Sequence, residues 1–232
     1  MSCFSYNRTI EPPNNIRRLL VFGDIHGYYN LFTQQLRILE FNPQYDWIIS
    51  VGDIIDRGDG SVQMLQLAMN EKWFYMVRGN HEQMLLDVIL PQDSLTAEKQ
   101  LTLQNLWFLY GGRWSLECDS ALLVQFAKMI KQLPFTLTIK AFGKTYGVAH
   151  ADPMVDDWDK IDSLLLDEQN RKQLLMNRTP AHLNIRNVDA SFHGHVPHSE
   201  PLKKNNCYFL DSGVFESQKF FVAEITKDEI KI

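Results

Sequence analysis

The sequence predicts a mixed α/β layered domain, and three observations predict it. The chain opens as strand, helix, strand, helix, strand; a hairpin pattern follows in its second half; and its 232 residues are 45% hydrophobic and 22% charged. That length suits one fairly large domain, or at most two small ones, with a sizeable core. The composition is ordinary for a globular chain and excludes fibrous and wholly disordered classes. One domain over residues 1–232 is expected, with 1–16 a polar N-terminal arm broken by Pro12 and Pro13.

Each element has its own signal. RRLLVF (17–22) is a short apolar run stopped by Gly23 and reads as a buried strand. Leu31, Leu36, Ile38 and Leu39 sit mostly at helical spacing and end near Asn42-Pro43. DWIISV (46–51) is the second strand, Val62, Leu65, Leu67 and Met69 mark the second helix, and WFYMV (73–77) is the third strand. Met84, Leu85, Val88 and Ile89 follow at helical spacing and read as a core face. This order implies parallel strands joined by right-handed crossovers. Residues 95–132 read as helical, interrupted at Gly111-Gly112, and 135–151 as a hairpin turning at Gly143-Lys144. Further strands are expected at Ser191–His193, Cys207–Leu210 and Phe220–Ile225, with a last short one ending at Ile232.

The net charge of −5 argues against a sequence-independent grip on nucleic acid or acidic lipid. Cys3, Cys118 and Cys207 are few, odd in number and without metal-ligand spacing, so a reducing compartment is the simpler reading. The start MSCFSYNRTIEPPNN lacks the pattern of a signal peptide, and no apolar run reaches the roughly 18 to 20 residues that span a bilayer. The expected location is the cytoplasm and the expected state a monomer.

Histidine points to the chemistry. Five of seven (His26, His81, His150, His193 and His195) lie just beyond an apolar strand-like run, beside Asp24, Asp53 and Asn80. In open α/β sheets ligands gather outside the carboxyl ends of the strands, so these residues are expected to converge. VFGDIHG puts Asp24 and His26 two residues apart, on one face of an extended segment. SVGDIIDRG supplies Asp53, then Asp56 and Arg57; VRGNHEQ supplies Arg78, Asn80, His81 and Glu82; GVAHAD supplies His150, and FHGHVP His193 or His195. Carboxylate, imidazole and amide oxygen without thiolate suit Mn²⁺, iron or Zn²⁺ better than Mg²⁺ or Ca²⁺. Six ligands from five strand ends suit two ions sharing a carboxylate, the arrangement of a two-metal hydrolase.

In this order GDIHG, GDIIDRG, RGNHE, HAD and GH resemble the signature of the phosphoprotein phosphatase family of metal-dependent serine/threonine phosphatases, in its short bacterial and phage branch. IISVGD, RGNHEQM and the closing LDSGVF add to the match, which runs from about residue 17 to 225. The resemblance implies a calcineurin-like metallophosphoesterase fold: a β-sandwich flanked by helices, with a dimetal site at the strand edges. It implies Asp24 and His26 on the first metal, Asp53 between both, and Asn80, His150 and His195 on the second. Arg57, Arg78 and Arg178 resemble phosphate-binding arginines, and His81 with Asp56 a catalytic acid dyad. The implied ions are two Mn²⁺, with iron, Zn²⁺ or Ni²⁺ as alternatives, and the implied substrates phosphoproteins or phosphopeptides carrying phosphoserine, phosphothreonine or phosphotyrosine.

The chain departs from the pattern in FHGHV, where the family has FGHT. His195 follows the glycine as required, which leaves His193 as a neighbouring donor or a strand residue. Arg178 lies in a poorly matching stretch (154–190), where Arg171 and Arg186 compete with it. Asp56 also reads as a cap for the 61–70 helix and Glu82 as a support for a ligand or an arginine. A dinucleoside tetraphosphate hydrolase, or another phosphoesterase of the same superfamily, is the rival enzyme, although Asp56 and Glu82 favour the phosphatase over the dinucleotide hydrolase. A metal-bound scaffold without turnover is the rival of another class.

Overall fold

The computed structural model describes residues 5–91, 95–180 and 184–232; Cys3 and His182 lie outside them. The order is β1 (Asn7–Ile10), β2 (Arg18–Phe22), α1 (Tyr29–Ile38), β3 (Asp46–Ser50), α2 (Ser61–Asn70), β4 (Phe74–Met76), α3 (Asn80–Ile89) and α4 (Ala97–Leu109). A 3-10 segment (Gly112–Glu117) leads to α5 (Ser120–Lys131), then β5 (Thr136–Ala141) and β6 (Lys144–Ala149). Short helices α6 (Ile161–Leu164) and α7 (Glu168–Leu174) precede β7 (Ala190–His193), β8 (Leu202–Lys204), β9 (Cys207–Phe209), α8 (Val214–Ser217), β10 (Val222–Ile225) and β11 (Ile230–Lys231).

Two sheets stack, ordered β11-β10-β2-β3-β4 and β1-β5-β6-β7-β9-β8. In the first, β2, β3 and β4 run parallel through the α1 and α2 crossovers, in a register that sets Arg18 against Asp46 and Ile48 against Phe74. Both faces of β2 are buried, so it reads as an unbroken apolar run. Leu19 and Val21 meet Leu137, Ile139, Val148 and Phe192 of the second sheet. Leu20 and Phe22 point the other way, into a core with Phe32, Leu65, Leu85 and Phe126 from the helices. A third core packs Trp158, Ile161, Leu165 and Leu174 against the outer face of the second sheet. The result is the helix-flanked sandwich that the resemblance implied. Among the described residues, no helix is long and apolar enough to cross a membrane, and Cys118 and Cys207 are free thiols.

Two expectations change. The polar arm is not wholly irregular, because residues 7–10 add a parallel strand to β5. The hairpin turns at Phe142-Gly143, both at positive φ (55° and 75°), since the register already pairs Ala141 with Lys144. A two-residue hairpin turn of this kind needs two left-handed positions.

Candidate active site

The parallel strands deliver their carboxyl ends to one edge, and backbone bonds tie the loops there together. The amides of Ile25 and His26 donate to the Asp53 carbonyl (3.0 and 2.9 Å), and that of Gly194 to the His150 carbonyl (2.8 Å). Five non-glycine residues at this edge take left-handed backbone: His26 and Asp53 (φ 48°), Asp56 and Arg57 (71°) and His195 (67°). Such conformations cost of order 1–3 kcal/mol each and persist where surroundings over-determine them. Buried Glu82 does part of that work. Its carboxylate accepts the amides of Asp53 (2.8 Å), Ile54 (2.9 Å) and Gly79 (2.8 Å), joining the loop that carries Asp53 to the start of α3. Gly194 is required as glycine: a Cβ there would fall 2.0 Å from Asp24 Oδ1. Its absence lets the next amide, that of His195, donate to both Asp24 oxygens at 3.2 Å.

Backbone carbonyls also fix the imidazoles. His26 Nδ1 donates to Ile55 O (3.1 Å) and His150 Nδ1 to Val51 O (2.9 Å), which turns both Nε2 atoms inward. His150 Nε2 then lies 2.9 Å from Asn80 Oδ1 and 3.4 Å from Asp53 Oδ2, while His195 Nδ1 lies 2.8 Å from the same Asn80 oxygen. Asp24 Oδ2 stands 3.9 Å from His26 Nε2. Two groups able to hold a cation result, His26–Asp53–His81 and Asp53–His150–His195, each with ligand atoms within 4.8 Å of one another. Asp53 belongs to both.

The charges agree with that use. Burial holds His26 near 3 and His195 near 4, so both rings are neutral, the form a metal requires. Burial alone would raise Asp53, but His150, His81 and His26 around it pull it well below the usual carboxylate range. Burial would likewise lower His150, yet Asp53 beside it carries it up to about 10. The oxygens around His150 Nε2 thus call for one positive charge, and a divalent cation in place of that proton meets the same demand. His195 Nε2 is buried without a hydrogen-bond partner. A nitrogen and oxygen donor set without thiolate, built about one shared carboxylate, fits two divalent cations.

Beside the cluster, His81 Nδ1 meets Asp56 Oδ2 at 2.7 Å, and its Nε2 lies 3.8 Å from Asp53 Oδ2. Burial lowers His81, but Asp53 and Asp56 outweigh it and raise the ring above its ordinary value. Asp56 does not cap α2, whose N-cap is Gly60. A cavity of about 450 Å³ opens over the cluster, lined by Arg57 and Arg178 among others. The Arg57 guanidinium stacks 4.2 Å above the Phe215 ring. Arg171 is engaged by the Leu165 and Leu166 carbonyls, and Arg186 by Asp156 at 2.9 Å. Arg78 lines the adjoining cavity, not this one. It is buried, donates to Gln83 Oε1 (2.9 Å) and Lys131 O (3.0 Å), and lies over Phe135. His193 is a buried strand residue whose Nε2 meets Ser191 Oγ at 3.0 Å.

The sequence reading passed over Tyr110, Phe215 and Asp211, which line the cavity, and Trp107 and Trp114, which touch Asp56. Asp211 and Phe215 lie within the quoted LDSGVF phrase, and Tyr110 and the tryptophans surround Gly111-Gly112. Those phrases were the available signal.

A donor cluster of this kind, at the edge of a two-sheet sandwich, fits a metal-dependent hydrolase. Over residues 17–199 the chain matches the family model for calcineurin-like phosphoesterases, and it belongs to that family. Membership implies a centre of two divalent metal ions. The chain is 32% identical over 216 residues to serine/threonine-protein phosphatase 1 of Salmonella typhimurium, covering 91% of this chain and 93% of that protein. A symmetrical bis(5'-nucleosyl)-tetraphosphatase of Methylobacillus flagellatus is 36% identical over 86 residues, 37% of this chain and 30% of the other. The crystal structure of a cold-active protein-tyrosine phosphatase from a psychrophilic Shewanella shares the fold, with a TM-score of 0.56 at 16% identity over 96% of this chain and 78% of that one.

Proposed function

We propose that this chain removes phosphate from phosphoserine and phosphothreonine in proteins, and from phosphotyrosine as a further substrate. One observation carries the choice: a buried His81–Asp56 pair, 2.7 Å apart, beside the shared carboxylate Asp53. A serine or threonine alkoxide leaves poorly and needs a proton, whereas the phosphate group expelled from a dinucleoside polyphosphate does not.

In this reading Asp24, His26 and Asp53 would hold one cation, and Asp53, Asn80, His150 and His195 the other, with Mn²⁺ as the proposed metal. When bound, the ions supply an activated water and neutralise phosphoryl charge. Arg57 and Arg178 grip the remaining phosphoryl oxygens and keep the ester in line. As the water oxygen bonds to phosphorus, the ester P–O bond breaks and its electron pair stays on the serine oxygen. That oxygen takes the proton from His81 Nε2, the water's proton passes to solvent, and His81 regains a proton from solvent before the next turnover. Asp56 keeps the ring oriented and charged, an arrangement typically worth about 10² to 10⁴ in rate. Arg78, which does not line the cavity over the cluster, is assigned to anchoring the turn between α5 and β5 rather than to phosphate.

The test is phosphate release by the Mn²⁺-loaded chain from phosphoserine, phosphothreonine and phosphotyrosine peptides and from diadenosine tetraphosphate. Faster turnover of the phosphopeptides is expected. A clear preference for the dinucleotide would move the reading to the function of the Methylobacillus relative. Silence on every substrate would leave a metal-bound scaffold.

A further inference from the structure

Asp56 is fully buried, and three side chains hydrogen-bond its carboxylate, so that both oxygens are engaged. Trp114 Nε1 donates to Oδ1 (2.7 Å), Trp107 Nε1 donates to Oδ2 (2.9 Å), and His81 Nδ1 shares Oδ2 at 2.7 Å. The two indoles meet edge to face, 6.1 Å apart at 88°, so their N–H groups approach the carboxylate from different directions. They come from α4 and from the 3-10 segment, on either side of Gly111-Gly112. A Cβ on Gly112 would stand 2.4 Å from the Trp107 ring, so glycine lets the chain pass over it.

We propose that Trp107 and Trp114 are positioning residues for leaving-group protonation: together they hold the Asp56 carboxylate so that one oxygen faces His81 Nδ1. The inference rests on the acid role given to His81 above. Three features support it. Asp56 lies on left-handed backbone (φ 71°), which other contacts must hold in place. Indole is a donor only and uncharged; it satisfies the anion without bringing a second cation that would compete with His81. Finally, Trp114 occupies Oδ1, the oxygen His81 does not use, so the carboxylate has no free oxygen to rotate toward another partner.

Substituting phenylalanine keeps a ring and removes the donor. Trp114→Phe and Trp107→Phe would be compared with the wild type and His81→Asn on a phosphoserine peptide and on p-nitrophenyl phosphate, all in Mn²⁺. Trp114→Phe is expected to lower kcat on the phosphoserine peptide by ~10-fold, a part of what a general acid supplies. The aryl ester, whose leaving group needs little help, should lose far less, and KM should hold for both. In a His81→Asn background the same substitution should add nothing. Equal losses on both substrates, or an undiminished further loss behind His81→Asn, would make the tryptophans ordinary packing and overturn the proposal. If His81→Asn itself fails to separate the two esters, the acid reading fails first, and this inference with it. Trp114 is only partly buried, so Trp114→Phe carries the test should Trp107→Phe not fold.

Discussion

Asp53 serves two neighbours and three loops at once. Its carboxylate is shared by both cation-holding groups, its Oδ1 accepts the His81 amide (2.9 Å), and its own amide is held by Glu82. Replacing it by Asn keeps the shape and removes the charge. Asp53→Asn is expected to lose bound metal and activity together, by at least ~100-fold in metal affinity, since removal of even supporting partners costs 10 to 100-fold. Metal content after dialysis, read beside the phosphate-release rate, checks it; two ions retained at the wild-type rate would remove Asp53 from the bridging role. At this scale the sequence was legible because Asp24, His26, Asp53, Asn80, His150 and His195 each follow a strand within a few residues, so parallel topology alone predicts that they meet. Contacts spanning long loops were not legible in that way. Trp107 and Trp114 reach Asp56 across 51 and 58 residues, and no period or strand end foretells that. For Arg78 a place at a strand end does not by itself say where the side chain goes: it packs over Phe135 and donates to the Lys131 and Leu133 carbonyls, with its Nε left without a partner.

Among the elements, β2 and β3 are joined outside the site by an ion cluster. Buried Asp46 accepts from Arg17 Nε (2.9 Å), Arg18 Nη2 (3.1 Å) and the Asn42 amide (2.8 Å). Burial raises its pKa, but those hydrogen bonds outweigh burial and hold it below the ordinary value. A depressed carboxylate contributes stability that is complete above its unfolded value, about 3.9, and is lost as pH falls through the folded value. Asp46→Asn should therefore lower stability by about 1–3 kcal/mol at pH 7, with the gap from wild type narrowing in acid, as pH falls below the ordinary carboxylate value. Thermal melts at neutral and acid pH check the sign; a gap that widens in acid would contradict it. Strands with two buried faces, such as RLLVF, were readable as apolar runs. The strand at Asn7–Ile10 was not, because its pattern is half-buried and exposed and its pairing with β5 is a tertiary event. The hairpin turn was misplaced by one residue because Phe142, not only Gly143, takes a left-handed position.

For the whole molecule, the sandwich explains why residues from both halves of the chain share one centre. Asp24, Asp53 and Asn80 follow strands of one sheet, and His150 and His195 follow strands of the other. The edge where the sheets meet is where the donors must gather. The family follows from the match over residues 17–199, with which that architecture agrees, and the proposed phosphoprotein reading from the His81–Asp56 pair beside the candidate metal cluster. The central claim is a two-metal phosphomonoesterase, and titration of Mn²⁺ into metal-stripped protein tests it most directly, with bound metal and phosphate release from a phosphoserine peptide followed together. Activity should be absent without metal and should reach its plateau as a second equivalent binds per chain. Full activity with one ion, or undiminished activity in the presence of a chelator, would contradict the account.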